Sequence, residues 1–341
     1  MMRKYIAITL AILVSAAAIV FFTYFGAANI TFAETSKIIL YKIFGVFSSE
    51  VALLASKETI IWQLRFPRAL LAFLVGGGLA LSGAVYQAIF KNPMADPYIL
   101  GISSGAAFGA TIGIILKIPG SYLGLNLTNW LAFAGSILTV FFVYNIAKVG
   151  RSAMLTSLLL TGTAVSQFLT AFISLAMMLS ANEMRRIYYW TLGSFNSKGW
   201  SHVGMVLPYI AISVIYIYIF SRDLDIIMLG DDTAVRYGID VEKVKSRMFV
   251  VTALLMSACV SVSGIIGFVG LVSPHIMRLF TGPLHKKLMP AAFFFGGALL
   301  CMCDTIARSA ANSEIPVGIV TALCGAPFFI YLLRAKRTEV I

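Results

Sequence analysis

Charged side chains are scarce in this chain. They make up 12% of its 341 residues, whereas hydrophobic residues make up 60% and the mean hydropathy is +0.91. An ordinary soluble domain carries about 25% charged residues. The composition therefore excludes water-soluble enzyme folds and indicates a polytopic membrane protein. Since a span needs ~20 apolar residues, we predict about ten transmembrane helices and a single transmembrane domain over residues 1–341.

Residues that carry catalytic or metal chemistry are also few. The four cysteines lie in apolar runs without the ligand spacing of a metal site, so we interpret them as small buried hydrophobic residues. The glycine run Gly76, Gly77, Gly78 lies inside an apolar segment, and the sequence contains no P-loop. No Ser-His-Asp set or carboxylate pair is present. We therefore predict no catalytic residue, no metal site and no ATP hydrolysis on this chain.

Apolar runs predict where the chain crosses the membrane. The N-terminal run has no convincing cleavage site, so we interpret it as a span rather than a signal peptide. The seventh and eighth spans are short and rich in glycine, which predicts a broken helix. A short surface helix is expected within residues 183–199. The predicted spans are 5–30, 66–90, 98–116, 123–147, 152–180, 203–221, 247–263, 265–281, 288–310 and 316–334.

Basic residues predict the orientation of these spans. With the N-terminus inside, 16 of the 26 Lys and Arg residues fall on inner segments. This bias favours both termini in the cytoplasm. The basic residues are scattered between apolar segments, as orientation signals are, and so they do not indicate nucleic-acid binding.

One polar stretch, residues 228–241 (MLGDDTAVRYGIDV), interrupts the apolar second half of the chain. The pattern predicts an elbow of two short helices joined at Gly238, which suits the left-handed turn that ends a helix. Asp231 and Asp232 would lie at the positive end of the first helix dipole. An elbow of this kind, flanked by Lys and Arg, suits docking of a cytoplasmic partner. An ordinary capped connector explains the same spacing.

Acidic residues inside the predicted spans are nearly absent. Asp304 is the one acidic residue well within a span, and Arg308 follows one helical turn later, where the two side chains can pair. We favour a structural pair over a proton relay. An ion-coupled carrier usually needs such groups within the membrane.

Three stretches resemble the FecCD-type permeases, which are membrane subunits of ABC importers for ferric siderophores, haem and cobalamin. They are LRFPRALLAFLVGGGLALSGAVYQAIFKNPMADPYILGISSGAAFGA (64–110), SGIIGFVGLVSPHIMRL (263–279) and DTIARSAANSEIPVGIVTALCGAPFFIYLL (304–333). The resemblance implies an all-α type II ABC importer fold in the cytoplasmic (inner) membrane. It also implies a second permease copy, identical or homologous, with a translocation path along the dimer axis. Two cytoplasmic ATPase subunits would hold ATP and Mg²⁺, an extracytoplasmic binding protein would dock outside, and this chain would carry no cofactor.

The resemblance also assigns roles to individual residues. Arginines on the outer face of the family pair with glutamates of the binding protein, and the matching positions are Arg65, Arg68 and Arg308. Anchoring at the membrane edge is an alternative role for Arg65 and Arg68, which lie in LRFPR, where Pro67 suits a first helical turn. The matching coupling residues in the elbow are Gly230, Asp231, Ala234 and Gly238. Small, weakly polar side chains would suit the path of a bulky cargo, and the candidates are Ser82, Ser103, Ser104 and Thr163.

We therefore expect the permease of a binding-protein-dependent ABC importer, with a ferric siderophore as the favoured cargo. Haem, cobalamin and other metal species such as molybdate stay open within the family. From other classes, an ion-coupled secondary carrier would need membrane acids that the chain lacks. A scaffold without transport would leave the elbow and the outer arginines unexplained. The sequence does not say whether the binding protein is periplasmic or lipid-anchored.

Overall fold

The structure is a computed structural model, and it describes residues 14–26, 28–47, 55–149, 152–153, 155–310 and 313–338. Within these residues the strands are confined to two antiparallel hairpins of two-residue strands, β1 (Ser121–Tyr122) with β2 (Leu125–Asn126) and β3 (Lys148–Val149) with β4 (Ser152–Ala153). The predicted all-α architecture is confirmed.

Three clusters of buried apolar residues lie between the helices, and the largest cluster draws on most of them. The helices are numbered in chain order. They are α1 (Val14–Tyr24), α2 (Phe32–Phe44), α3 (Phe66–Ile89), α4 (Ile102–Leu116), α5 (Leu127–Ala147), α6 (Leu155–Leu179), α7 (Met184–Thr191), α8 (Trp200–Ile219), α9 (Ser221–Met228), α10 (Asp231–Arg236), α11 (Val241–Ser263), α12 (Val269–Thr281), α13 (His285–Ser309) and α14 (Val317–Thr338). Among the described residues, six helices are long and apolar enough to cross a membrane, and three shorter apolar helices accompany them. The predicted count of about ten spans is approximately confirmed.

The second span begins earlier than the sequence predicts. The helix starts with Ala55–Thr59 and a π-helical segment, Ile60–Arg65, that runs directly into α3. Pro67 lies in the first turn of α3, as predicted, although the π-helical segment precedes that turn without a break. Tertiary contacts support the extension, because Trp62 stacks on Phe66 and accepts a hydrogen bond at its carbonyl from Trp200 Nε1 (2.8 Å).

Helix α2 was not predicted, although a local signal for it is present. Thr31 and Glu34 form a reciprocal capping box at its start, in which each side chain accepts the other residue's backbone N–H. Gly45 ends the helix with φ 73°. Its buried residues, Ile38 and Ile39, pack with Ile61 of the π-helical segment.

Glycines set the distance between the central helices. A Cβ on Gly76 of α3 would lie 2.3 Å from the carbonyl oxygen of Gly296 in α13, so only glycine permits this approach. The predicted small-residue face of α4 is confirmed, since a Cβ on Gly109 would lie 2.0 Å from the carbonyl oxygen of Leu131 in α5. Of the cysteines, only Cys324 departs from the predicted burial, because it is exposed.

The bundle has two functional ends. Helix α3 leads from Arg68 to the turn at Lys91, and α13 returns in the opposite direction from His285 to Arg308. We call the end with Arg68 and Arg308 the arginine end. The end with Lys91 and residues 221–241 is the elbow end.

Candidate functional site

The elbow differs in part from its prediction. Helix α10 is short, as expected, but the segment after Gly238 is the start of α11, a long helix. The side chain of Asp240 accepts the backbone N–H of Lys243 (3.1 Å) and caps that helix, so the basic run 242–247 forms its first turns. The predicted break near residue 264 is confirmed between α11 and α12.

Two glycines turn the chain at the ends of α10. Gly230 has φ 135° and ψ 145°, and Gly238 has φ 80°, both in the region where residues with a Cβ are strained. Nothing lies within 4 Å of a Cβ placed on Gly238, so its backbone conformation, and not a lack of space, requires glycine. The two turns fix the direction of α10 relative to α9 and α11.

Asp231 fastens the elbow to two long helices. One carboxylate oxygen lies 2.8 Å from Lys91 Nζ, just after α3, and the other accepts a hydrogen bond from Lys245 Nζ of α11 at 2.7 Å. Partial burial raises the pKa of Asp231, but the hydrogen bonds from Lys245 and Lys91 outweigh it, so the pKa lies below its ordinary value. Ala234 is fully buried beneath these contacts.

The elbow exposes three large apolar side chains next to its charged residues Asp232 and Arg236. Leu229, Val235 and Tyr237 are 74%, 62% and 70% exposed, whereas Ala234 on the opposite face of α10 is buried. The ion pairs of Asp231 therefore hold a small apolar surface at the elbow end, in a position where a partner could cover it.

At the arginine end, the three predicted docking arginines lie together but are all engaged within the bundle. Arg65 is buried and donates to the backbone carbonyls of Tyr24 (2.8 Å) and Ala28 (2.9 Å). Arg308 donates to the carbonyl of Phe22 and to Thr305 Oγ1 (3.2 Å). Both side chains thus hold the end of α1 and the segment that follows it.

Arg68 is the centre of an ionic cluster. Its Nε and Nη2 donate to Asp304 at 3.0 and 2.9 Å, and its Nη1 donates to both carboxylate oxygens of Glu314 at 3.0 Å. The side chain of Asp304 is 3% exposed and that of Glu314 is 39% exposed. Arg308 Nε lies 3.9 Å from Asp304, so this carboxylate serves two arginines. Sequence reasoning paired Asp304 with Arg308 and missed both Arg68 as its main partner and Glu314.

The four candidate path residues do not share one surface. Ser82 is fully buried and its hydroxyl has no partner among the residues described. Ser104 donates to the carbonyl of Gly101 (3.0 Å) and to Ser166 Oγ (3.2 Å), while Ser103 is half-buried. Thr163 of α6 is exposed.

Sequence reasoning missed a polar stripe on α6. Thr163 is followed by Gln167, Thr170 and Ser174, at the spacing of one helix face, and all four are exposed. The hydroxyl groups of Thr163, Thr170 and Ser174 each donate to a backbone carbonyl one turn earlier in α6.

The chain is similar to known transport proteins over most of its length. The profile of the FecCD transport family matches residues 10–335. The cobalamin import system permease protein of Halobacterium salinarum is 40% identical over 284 residues, which cover 83% of this chain and 76% of that protein. The hemin transport system permease protein of Yersinia pestis is 37% identical over 285 residues, which cover 82% of this chain and 84% of that protein.

A solved structure is similar over nearly the whole chain. It is a transporter assigned to the metal-chelate type of ABC transporter, in an inward-facing conformation, with a TM-score of 0.81 and 27% identity over 96% of this chain and 99% of that chain. The relatives are transport permeases, consistent with a transport subunit that is not itself an enzyme. With its helical bundle and its elbow, the chain belongs to the FecCD transport family of ABC importer permeases.

Proposed function

We propose that this chain is the permease subunit of a binding-protein-dependent ABC importer that moves a bulky metal chelate across the cytoplasmic membrane. The observation that carries the proposal is the elbow, where Asp231 holds the apolar residues Leu229, Val235 and Tyr237 outward at one end of the bundle. Such a surface suits the cleft of a partner ATPase. ATP and Mg²⁺ would be bound by that partner, and this chain would carry no cofactor.

The polar stripe of α6 supports the position of the path. A helix face that meets lipid is apolar, whereas Thr163, Gln167, Thr170 and Ser174 present hydroxyl and amide groups. We infer that this face meets a second permease copy across a shared path. Weakly polar groups there would let a large chelate pass without binding it tightly. Closure of the ATPase dimer on ATP would move the elbow and rock the helices between outward and inward openings.

The arginine end suits docking of a binding protein whose acidic side chain replaces a carboxylate already paired with Arg68. Arg68 is already paired, but Glu314 is much more exposed than Asp304. A glutamate from the binding protein could therefore replace Glu314 on Arg68 while Asp304 stays in place. We expect Glu314→Gln to remove the negative charge that competes for Arg68 and so to strengthen binding of the binding protein, measured by biolayer interferometry on the assembled transporter. Weaker binding would contradict the exchange.

The cargo is tested by uptake in cells that lack this chain. Labelled cobalamin, haemin and a ferric siderophore are compared after complementation with the wild-type chain. The relatives named above are cobalamin and hemin permeases, so we place these two metal tetrapyrroles ahead of the ferric siderophore. Uptake that persists without the ATPase, or that follows the proton gradient, would overturn the importer assignment in favour of a secondary carrier.

The docking role of the elbow is tested with a matched pair of exposed tyrosines. Tyr237 in the elbow is 70% exposed, and Tyr122 in the β1 hairpin at the arginine end is 72% exposed. We expect Tyr237→Asp to reduce copurification of the ATPase and uptake by about tenfold or more, as for an interface hot spot. Tyr122→Asp should leave copurification unchanged. Equal effects of the two substitutions would refute docking at the elbow.

A further inference from the structure

A buried histidine–aspartate pair lies beside the elbow. Asp225 Oδ1 lies 2.6 Å from Nδ1 of His285 and accepts the backbone N–H of the same residue at 2.8 Å. His285 is fully buried, and the side chain of Asp225 is 22% exposed. The ring Nε2 has no partner among the described residues, so we assign the proton shared with Asp225 to Nδ1.

Asp225 therefore caps a helix to which it does not belong. His285 is the first residue of α13, and Leu284 before it supplies no side-chain cap. The carboxylate of Asp225, from α9, takes the place of the missing cap at the positive end of the α13 dipole. Since Leu224 and Ile227 of the same short helix are fully buried, α9 is also seated in the core and holds the carboxylate in place.

The pair joins the elbow to the most closely packed helices of the bundle. Only Leu229 and Gly230 separate α9 from α10. Helix α13, of 25 residues and about 37 Å in length, lies against α3 through the backbone contact of Gly76 and Gly296. At its far end, Asp304 of α13 is bound to Arg68 of α3. The α3–α13 pair is thus fastened at the arginine end and held to the elbow at the other.

Two polar contacts make that attachment, and they differ in strength. The Lys91–Asp231 pair is accessible, with side chains 33% and 48% exposed, so water and salt weaken it. The Asp225–His285 pair is buried, and its hydrogen bonds are assisted by the charge of the carboxylate. The second contact is therefore the firmer connection between elbow and bundle.

We propose that Asp225 and His285 are positioning residues for coupling, and that this clamp passes movement of the elbow to α13 and through it to the arginine end. The proposal rests on the proposed function, because it presumes that an ATPase moves the elbow. The nucleotide and the cargo touch neither residue. Loss of the clamp would leave the elbow surface intact but disconnect it from α13.

The test measures cargo moved for each ATP hydrolysed. The full transporter, with this chain, its ATPase subunits and its binding protein, is reconstituted in proteoliposomes with cyanocobalamin or haemin as the probe. We expect Asp225→Ala to retain ATPase copurification and ATP hydrolysis but to lower the transport-to-hydrolysis ratio by about tenfold. Loss of one charge-assisted hydrogen bond shifts an equilibrium constant by a factor of about this size. Asp225→Asn keeps an acceptor for both donors and should retain at least half of the ratio.

The controls separate a coupling role from a structural one. Asp223→Ala removes a carboxylate from the same helix, and that carboxylate has no ion pair in the part of the chain that the structure describes. The transport-to-hydrolysis ratio of Asp223→Ala should therefore equal that of the wild type. His285→Ala combined with Asp225→Ala should lower the ratio no further than Asp225→Ala alone, because Asp225→Ala already removes both hydrogen bonds of the clamp. If Asp225→Ala does not assemble, His285→Gln, which keeps the backbone donor, replaces it.

Three results would overturn the proposal. If the wild-type transporter moves cargo with ATP hydrolysis and Asp225→Ala, or its substitute His285→Gln, has the same transport-to-hydrolysis ratio, the clamp is refuted. The proposed function is not affected by that result. Additive losses in the double variant show that the two residues act separately. The wild-type complex could also hydrolyse ATP without moving either probe, while the uptake assay shows no transport of any cargo. That result refutes the proposed function and the clamp with it.

Discussion

Asp304 gives the sharpest stability prediction, because its carboxylate compensates two arginines whose side chains are 12% and 7% exposed. It accepts hydrogen bonds from Arg68 at 2.9 and 3.0 Å, lies 3.9 Å from Arg308, and is 3% exposed. Asp304→Leu would leave these guanidinium groups without their shared anion. Breaking a buried pair on one side costs about 3–5 kcal/mol. Because Glu314 still contacts Arg68, we expect a loss near the lower value, about 3 kcal/mol.

The size of the effect sets the assay. With an unfolding entropy of about 2.1 cal/mol/K per residue over this chain, a loss of 3–5 kcal/mol corresponds to a fall of roughly 4–7 °C in Tm. Thermal unfolding of the purified chain in detergent can resolve this fall. Glu314→Gln is the matched control, since its carboxylate binds the same arginine but is 39% exposed and is worth only about 0–1 kcal/mol.

A second variant tests the cause of the loss. Arg68→Met together with Asp304→Leu replaces the pair by apolar side chains of similar size, which is often neutral for a buried ion pair. We expect the double variant to recover most of the Tm lost by Asp304→Leu. A double variant no more stable than Asp304→Leu would refute the reasoning, and so would a fall below about 1 °C for Asp304→Leu alone.

Two further predictions concern packing and pH. A Cβ on Gly83 would lie 1.7 Å from the carbonyl oxygen of Gly270, so Gly83→Ala must push α3 and α12 apart. We expect the free energy of unfolding to fall by about 1–3 kcal/mol and the size-exclusion peak to broaden. An unchanged Tm would contradict this contact. The pKa of Asp231 is lowered in the folded state, so its ion pairs stabilise the elbow above the ordinary pKa of 3.8, and this contribution is lost as the pH falls through the lowered value. The Tm difference between wild type and Asp231→Asn should therefore be small but present at pH 6, since the carboxylate is half exposed, and should shrink as the pH falls below 3.8. A difference independent of pH would show that charge is not its cause.

Some features of the fold follow from local sequence. Apolar runs of span length became the long helices, and the glycine spacing of α4 became its contact with α5. These signals need only neighbouring residues, because helix length, capping and helix-face periodicity depend on short separations. The capping box of Thr31 and Glu34 is of this kind as well, and it could have revealed α2.

The elbow was predictable only in outline. The turn at Gly230, before α10, was not predicted, whereas the second turn, at Gly238, is present as predicted. The start of the long helix α11 directly after this turn was missed. A basic run is typical of a loop between helices, and only the structure shows that Asp240 caps a helix there.

Tertiary structure alone decided which charges meet. Arg68 and Asp304 are 236 residues apart, and Asp225 and His285 are 60 apart, so no spacing rule joins them. The family resemblance assigned Arg65, Arg68 and Arg308 to docking at the outer face, which stays a prediction, but their internal partners depend on how α1, α3 and α13 come together. Composition and periodicity determined a helical membrane bundle, because burial of apolar surface acts along each helix. The ionic contacts that fasten its two ends were decided by packing, because they form only when distant helices are brought within hydrogen-bond distance.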